Sequence, residues 1–368
     1  MTQNDNLTPN KRIIWIDNLK AISIIFVVLV HVLMFLITDA PKFYNKYIVS
    51  FLLPLLLFVS GYLFNVKKFP NFRFFIKKRF RSLIVPYFTF AFIALLVLFT
   101  FKYFNVHYLI FKHFNIYDFG YETNGLNTIL IPIGDILYSR IDNINGPTWF
   151  ITFLFIVEIY FYFLKINIKS TKVMLFVLFI SSIIGYLYSL FINFKLPWHI
   201  EVALIGVVFY GIGNIYKEQT DYFSNKILEK RYLTIFFLIV LLTINILFAF
   251  LNDSVGFLPN KYGNYVFFFI ASFSGIFFYL LISKIIGSHI FLSFLGKNTI
   301  IILCIHSFFI AILSLLTYNY LNPYFLNSSI ASICLAIIYT FIIIISMIPF
   351  IIVINRYFPF LIGKSKIG

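Results

Sequence analysis

The stretch IDNLKAISIIFVVLVH, residues 16–31, is an apolar run with a carboxylate and a lysine near its start and a histidine at its end. With its neighbours it reaches the ~20 residues that an α-helix needs to cross a bilayer core of ~30 Å. Asp17, Lys20 and His31 are costly in such a helix, because ionisable groups in hydrocarbon need a partner or a water-filled cavity. The stretch therefore predicts a membrane-spanning helix whose polar groups have a function.

The whole chain repeats this apolar pattern. It has 368 residues, of which 61% are hydrophobic and 11% are charged, with a mean hydropathy of +0.95. A soluble domain cannot hide that much apolar surface, because folded proteins already expose much of theirs. Ten apolar runs predict membrane-spanning helices, at residues 13–37, 47–65, 83–104, 147–165, 173–193, 199–216, 232–251, 264–283, 298–316 and 329–354.

The prediction is an all-α polytopic membrane protein, with one transmembrane domain over residues 1–368 and a short tail at about residues 1–12. We expect the first run to be a retained helix, since no small-residue cleavage pattern of a signal peptide follows it. We also expect no separate soluble domain.

The distribution of positive charge predicts the orientation of the chain. A net charge of +16 on a soluble domain would suggest a nucleic-acid partner. Here, 21 of the 29 Lys and Arg residues fall on one side of the predicted spans and 7 on the other. Because cytoplasmic loops carry the excess of positive charge, both termini are predicted to be cytoplasmic. The loops at residues 105–146 and 252–262 then face outward, and no nucleic-acid partner is expected.

The spacing of the polar residues in the first run places them on one helix. Lys20 and His31 are eleven residues apart, which puts them on one face about 16 Å apart along the axis. Asp17 can pair with Lys20 three residues later. Taken singly, the lysine could snorkel to the interface and the histidine could bond to a neighbouring helix. Together they place a cation near the inner end and, near the outer end, a base suited to taking a proton from a hydroxyl.

This stretch resembles the first helix of the acyltransferase-3 family, the multi-pass O-acyltransferases of surface polysaccharides. That helix carries a basic residue, ten intervening residues and a histidine, matched here by Lys20 and His31, although many members have arginine at the first position. Later stretches resemble the family in the same order, and the fucose 4-O-acetylase-like branch most. They are LPLLLFVSGYLF (53–64), KKRFRSLIVPYF (77–88), GPTWFITFLFIVE (146–158), LPWHIEVALIGVVFYGIGNIY (196–216) and LGKNTIIILCIH (295–306).

The resemblance implies O-acyl transfer, most simply of acetyl, from acyl-CoA on the cytoplasmic side of a bacterial plasma membrane. The acceptor would be a hydroxyl of a surface polysaccharide or of its lipid-linked precursor, on the outer side. The basic segment at residues 67–81, predicted to be a cytoplasmic loop, would hold the phosphates of coenzyme A through Lys78, Arg79 and Arg81, because guanidinium and ammonium groups are strong phosphate donors. The alternative for this segment is positive charge that meets anionic lipid.

A mechanism can be written from these residues as a hypothesis. His31 is the general base that takes the proton of the acceptor hydroxyl. Lys20 binds the phosphate end of pantetheine or stabilises developing negative charge, and Asp17 orients Lys20. Direct transfer and a covalent acyl-histidine intermediate both remain open.

Four further residues are predicted to bind substrate. Trp149 begins the fourth span, where an aromatic residue can instead be a membrane-interface anchor. Glu158 lies in the middle of that span and needs a partner, for which Lys20 or His31 could serve. The other two are Glu201, which with its neighbours could hold a sugar or cap a helix, and His306, which could equally be a packing residue.

Other functions fit this sequence less well. The histidines lack metal-ligand spacing such as His-Glu-x-x-His, so no metal is expected. Cys304 and Cys334 lie in apolar runs, which does not suggest a disulfide framework.

A polysaccharide exporter or flippase would share the many spans, but usually shows internal repeats that are not found here. A membrane sensor would leave the polar residues without a shared purpose. Membrane lipids are expected partners, and a homo-oligomer is left open.

Overall fold

A computed structural model describes residues 13–36, 39–104, 127–219, 226–320 and 329–364. Within these ranges the secondary structure is helical, apart from one isolated antiparallel bridge between Gly256 and Lys261. The predicted tail at residues 1–12 and residues 105–126 of the predicted outer loop at 105–146 lie outside the described residues.

The described helices confirm the all-α prediction. Those of eight residues or more are α1 (Ile14–Phe35), α2 (Asp39–Leu63), α3 (Phe72–Arg79), α4 (Val85–Tyr103), α5 (Asn127–Tyr138), α6 (Trp149–Asn167), α7 (Thr171–Phe191), α8 (Ile200–Gln219), α9 (Arg231–Leu251), α10 (Tyr265–Ile286), α11 (Ile290–Lys297), α12 (Thr299–Tyr320) and α13 (Ser329–Tyr357). In the described part of the chain, nine helical segments are long and apolar enough to cross a membrane. The count is ten if α11 and α12, which meet at a bend of 86°, form one span.

The basic segment at residues 67–81 differs from its prediction as a loop, because much of it is helical. The side chain of Asn71 caps α3 by accepting a hydrogen bond from the backbone N–H of Phe74 at 2.9 Å. Phe75 is buried and stacks on Tyr162 of α6, with ring centroids 4.4 Å apart. A π-helical turn at Phe80–Ile84 then joins α3 to α4. The basic side chains are therefore carried by a helix that is fixed to the bundle.

A second difference lies in the predicted outer loop, which contains the apolar helix α5. Its apolar stretch, Ile129–Tyr138, is too short to cross a bilayer. Tyr138 donates a hydrogen bond to the carbonyl of Lys195 at 2.7 Å, which ties the end of α5 to the segment before α8. Just beyond the helix, Arg140 forms an ion pair with Asp135 at 3.1 Å.

Helix α1 lies at the centre of the bundle, in contact with α2, α10, α11, α12 and α13. The amide of Asn18 is fully buried and donates to the carbonyls of Ser283 at 3.1 Å and Gly287 at 2.6 Å. Gly296 of α11 packs against the backbone of Asp17, where a Cβ atom would overlap the carbonyl. These contacts fix the end of α1 that begins at Ile14, which we call the inner end of the bundle.

Helices α2 and α8 approach each other through two glycines. Gly61 lies against the backbone of Tyr210, and Gly213 lies against the backbone of Phe58. The buried amide of Asn214 donates to the carbonyls of Gly61 at 3.1 Å and Phe64 at 3.0 Å. Small residues and interhelical hydrogen bonds are what hold helices together in lipid, where apolar side chains gain little by leaving the bilayer.

Substitution of Gly61 should therefore destabilise the protein. In Gly61→Ala the added methyl group would overlap the carbonyl of Tyr210, so the two helices must separate. We expect a loss of about 2 kcal/mol of unfolding free energy, as for other overpacked cores, seen as a lower thermal unfolding midpoint in detergent. Gly134→Ala on α5 is the matched control, because its Cβ would meet no described atom within 4 Å. Equal midpoints for the two variants would contradict this packing.

The orientation can be tested by cysteine labelling in a Cys334→Ser background, which removes the exposed native thiol. Lys68 and Lys261 are both exposed, and the charge distribution places them on opposite sides of the membrane. We expect an impermeant maleimide to label Lys261→Cys in intact cells and Lys68→Cys only after lysis. The reverse pattern would refute cytoplasmic termini.

Candidate active site

The structure brings His31 of α1 and His306 of α12 together. Nε2 of His306 lies 3.3 Å from Nδ1 of His31, and the ring centroids are 5.0 Å apart. His306 is fully buried, whereas His31 is half-buried. Their contact joins positions 275 residues apart in the chain, so no local sequence pattern pairs them.

Backbone contacts assign the protons of the two imidazoles. Nδ1 of His31 lies 2.7 Å from the carbonyl of Val27, and Nδ1 of His306 lies 2.9 Å from the carbonyl of Ile302. A carbonyl only accepts, so each neutral ring carries its proton on Nδ1. Nε2 of His306 is then an acceptor that faces the proton of His31, and Nε2 of His31 is the basic atom. If His31 gains a second proton, two acceptors already face its Nδ1–H group.

A short segment before α6 is fastened to α12 next to this pair. The amide of Asn145 donates to the carbonyl of Cys304 at 3.0 Å, and its oxygen accepts from the hydroxyl of Ser307 at 3.2 Å. Thr148 donates to the carbonyl of Asn145 at 2.8 Å. The start of α6 is thereby held beside His306.

Trp149, the first residue of α6, is only 7% exposed. Its ring meets the ring of His199 edge to face, with centroids 4.9 Å apart. Trp149 is therefore part of the protein interior, and its alternative interpretation as a membrane-interface anchor is wrong. His199 and Glu201 stand at the start of α8 beside it, at what we call the outer end of the bundle.

Glu158 forms an ion pair with Arg79, which was predicted to bind phosphate. Its buried carboxylate lies 3.0 Å from Nε of Arg79. The two groups form an ion pair, but the N–H···O angle is too far from linear for a hydrogen bond. The hydroxyl of Tyr210 donates to the other carboxylate oxygen at 3.4 Å. The expected partners, Lys20 and His31, do not fill this place. Glu158 thus holds Arg79 at the end of α3.

The other two predicted phosphate ligands, Lys78 and Arg81, are exposed. The ammonium of Lys78 lies over the rings of Phe69 and Phe74, 5.6 and 5.9 Å from their centroids. Arg79 lies over the same Phe69 ring at 5.6 Å. Lys78 and Arg81 therefore present charge at the surface, while Arg79 is committed to Glu158.

Asp17 and Lys20 lie on α1 at the inner end, the former buried and the latter half-buried. The helix is continuous from both residues to His31, so Lys20 stays about 16 Å from the histidine along the axis. The pairing of Asp17 with Lys20 remains a prediction.

Sequence reasoning missed Asn145, Ser307 and Tyr210. Their polar groups matter because of what they touch on other helices, and nothing in the local pattern marks them. Among the described residues, no group of three or more His, Cys, Asp or Glu side chains could hold a metal ion.

The fold and the histidine pair define an integral membrane protein with acid–base groups inside its helical bundle. The sequence model of the acyltransferase-3 family, described as an acyltransferase domain, matches residues 13–355. The chain belongs to this family and is a multi-pass membrane acyltransferase. Searches of curated proteins and of solved structures gave no match.

Removing one partner of the ion pair between Arg79 and Glu158 should strongly destabilise the protein. Arg79→Ala leaves a buried carboxylate without its cation, a change that typically costs about 3–5 kcal/mol, and we expect a loss of that order in the unfolding free energy in detergent. Replacing both residues with leucine should recover much of the loss.

The ion pair of Arg140 and Asp135 at the surface provides the control for the Arg79 variants. The side chain of Arg140 is 60% exposed, so Arg140→Ala should cost less than about 1 kcal/mol. A double-leucine variant as unstable as Arg79→Ala would show that the two side chains are not energetically coupled.

Proposed function

We propose that this acyltransferase moves an acetyl group from acetyl-CoA, bound at the inner end, to a hydroxyl of a surface polysaccharide or of its lipid-linked precursor. The acceptor enters from the outer end, and the protein works in a bacterial plasma membrane. The observation that carries the proposal is the His31–His306 pair, because it supplies an oriented base inside a chain of an acyltransferase family.

The chemistry follows from the proton positions. Nε2 of His31 takes the proton of the acceptor hydroxyl while the oxygen attacks the thioester carbonyl. The imidazolium that forms is stabilised by the carbonyl of Val27 and by Nε2 of His306, which both face its Nδ1–H group. When the tetrahedral intermediate collapses, the carbon–sulfur bond breaks and His31 returns the proton to the leaving thiolate. His306 is a positioning residue in this scheme.

The donor side fits the length of coenzyme A. From phosphorus to sulfur, the pantetheine arm has about 13 bonds and extends to about 16 Å from ordinary bond lengths. This matches the distance of about 16 Å along α1 between Lys20 and His31. Lys20 would hold the pyrophosphate end, and the exposed Lys78 and Arg81 would attract the remaining phosphate charge. Arg79 would contribute only its guanidinium edge that faces away from Glu158.

The proposal predicts a strong dependence on His31. In membranes supplied with radiolabelled acetyl-CoA and the producing cell's glycan fraction, His31→Ala should reduce label transfer by at least about 100-fold, the contribution typical of a general base. His306→Gln should lower kcat about tenfold with little change in KM for either substrate, because one hydrogen bond to His31 changes.

His289→Ala is the matched control, because His289 is exposed at the start of α11, and it should transfer label like the wild type. All variants must first be shown to insert equally. Equal transfer by wild type and His31→Ala would remove His31 as the base. Glycan crossing the membrane without any labelling would favour the exporter alternative.

A further inference from the structure

Three polar side chains at the outer end are buried with one atom each left unbonded. His199, Glu201 and Tyr262 are 4%, 1% and 1% exposed. Within the described residues, Nδ1 of His199, Oε1 of Glu201 and the hydroxyl of Tyr262 have no hydrogen-bond partner. Buried polar groups in native proteins are almost always bonded. We call these three side chains the outer polar pocket.

Each of these residues is fixed in place by its other atoms. Nε2 of His199 lies 3.2 Å from the carbonyl of Ser139, and Oε2 of Glu201 accepts from the backbone N–H of Leu196 at 3.1 Å. The carbonyl of Tyr262 accepts from the amide of Asn252 at 3.1 Å. These bonds hold the side chains of His199 and Glu201, and the ring of Tyr262 is held by Phe257 and Phe268, with centroids 5.5 and 5.1 Å away.

The backbone around the pocket is strained. Trp198 and His199 are consecutive residues with φ of 56° and 58°, and Ser139 has φ of 71°. Each such residue other than glycine costs about 1–3 kcal/mol and persists only where its surroundings fix it. Here the strain aims the ring of His199 between Trp149 and the carbonyl of Ser139. Strain of this kind concentrates at binding sites.

The unbonded atoms of the pocket determine which chemical groups of a ligand it could bind. Because Nε2 of His199 faces a carbonyl, Nδ1 is an acceptor, and Oε1 of Glu201 is a second acceptor. Burial and the negative charge of Glu201 raise the pKa of Tyr262 well above its usual value near 10. Its hydroxyl therefore stays protonated and can donate. Two acceptors and one donor suit a pair of neighbouring hydroxyl groups, and the carboxyl group disfavours an anion.

A chain of buried aromatic rings joins Trp149 to Tyr262. Trp149 packs on Phe153, Phe153 on Phe257, and Phe257 on Tyr262, with centroid distances of 5.4, 6.0 and 5.5 Å. Such rings offer an apolar surface for the C–H face of a sugar. The segment ending at Trp149 is also the one that Asn145 fastens beside His306. The pocket is thus connected to the histidine pair by one short, fixed stretch of chain.

We infer that the outer polar pocket binds the acyl acceptor as a neutral sugar ring, through two neighbouring hydroxyls that donate to His199 and Glu201 while one accepts from Tyr262. The link to catalysis rests on the proposed function. Sugar binding itself does not, so the two can fail separately.

The first test measures substrate KM values in membranes. Tyr262→Phe and Glu201→Gln should each raise KM for the glycan acceptor about tenfold, the effect of one lost buried hydrogen bond, and leave KM for acetyl-CoA unchanged. Tyr262→Phe should leave the thermal unfolding midpoint unchanged, because the lost hydroxyl bonds to no described group of the protein. Glu201→Gln should change it little, because the amide oxygen can still accept from the N–H of Leu196 while the amide nitrogen replaces the unbonded Oε1. Tyr265→Phe is the matched control, since that hydroxyl is already bonded to Ser182 at 2.6 Å.

A second test needs no acyl transfer. Purified protein in nanodiscs is exposed to a panel of methyl glycosides and their monodeoxy analogues, and binding is read by saturation-transfer NMR. We expect wild type and Tyr265→Phe to bind at least one glycoside whose monodeoxy analogue fails, and Tyr262→Phe to lose it.

Binding in this assay without label transfer would keep the pocket and reject the proposed function. The inference is overturned if no glycoside binds the wild type. It is also overturned if Tyr262→Phe and Glu201→Gln bind like the wild type, or if both lose stability while KM for the acceptor stays unchanged, which would indicate bonding to structural water.

Discussion

The cost of a polar group without a partner in hydrocarbon governs this structure. It explains why the buried amides of Asn18, Asn145 and Asn214 each bond to carbonyls of other segments. These bonds fix the inner end of α1, the start of α6 and the contact of α8 with α2. The same cost means that the buried carboxylate of Glu158 needs its ion pair with Arg79.

Helix α1 connects the two ends of the bundle. Its inner end carries Asp17 and Lys20, and its outer half carries His31 against His306 of α12. A donor and an acceptor that enter from opposite sides can meet only at such a place inside the bundle. The bend between α11 and α12 lets α12 run beside α1 while α11 packs on its inner end.

The proposed binding of acetyl-CoA at the inner end and of the acceptor at the outer end follows the chemistry of each end. Exposed cations on α3 and in the π-helical turn suit phosphate, whereas the outer end combines aromatic rings with unbonded oxygen and nitrogen atoms. The strained backbone at Trp198 and His199 occurs at the outer end, where it positions the ring of His199 for the proposed ligand. The glycine contacts of α2 and α8, at Gly61 and Gly213, lie toward the inner end instead and hold the two helices together there.

The sequence alone determined the class of the protein, its spans and the placement of Lys20 and His31 on one helix, because hydropathy, run length and helix periodicity are local properties. It also pointed to the family through motifs in order. It did not pair His31 with His306 or Glu158 with Arg79, nor did it place Tyr262 near Glu201. Those contacts depend on which helix faces meet, and apolar residues surround helices such as α6 on most sides, so no pattern marks the contacting face. Only tertiary packing, set by small residues and interhelical hydrogen bonds, decided them.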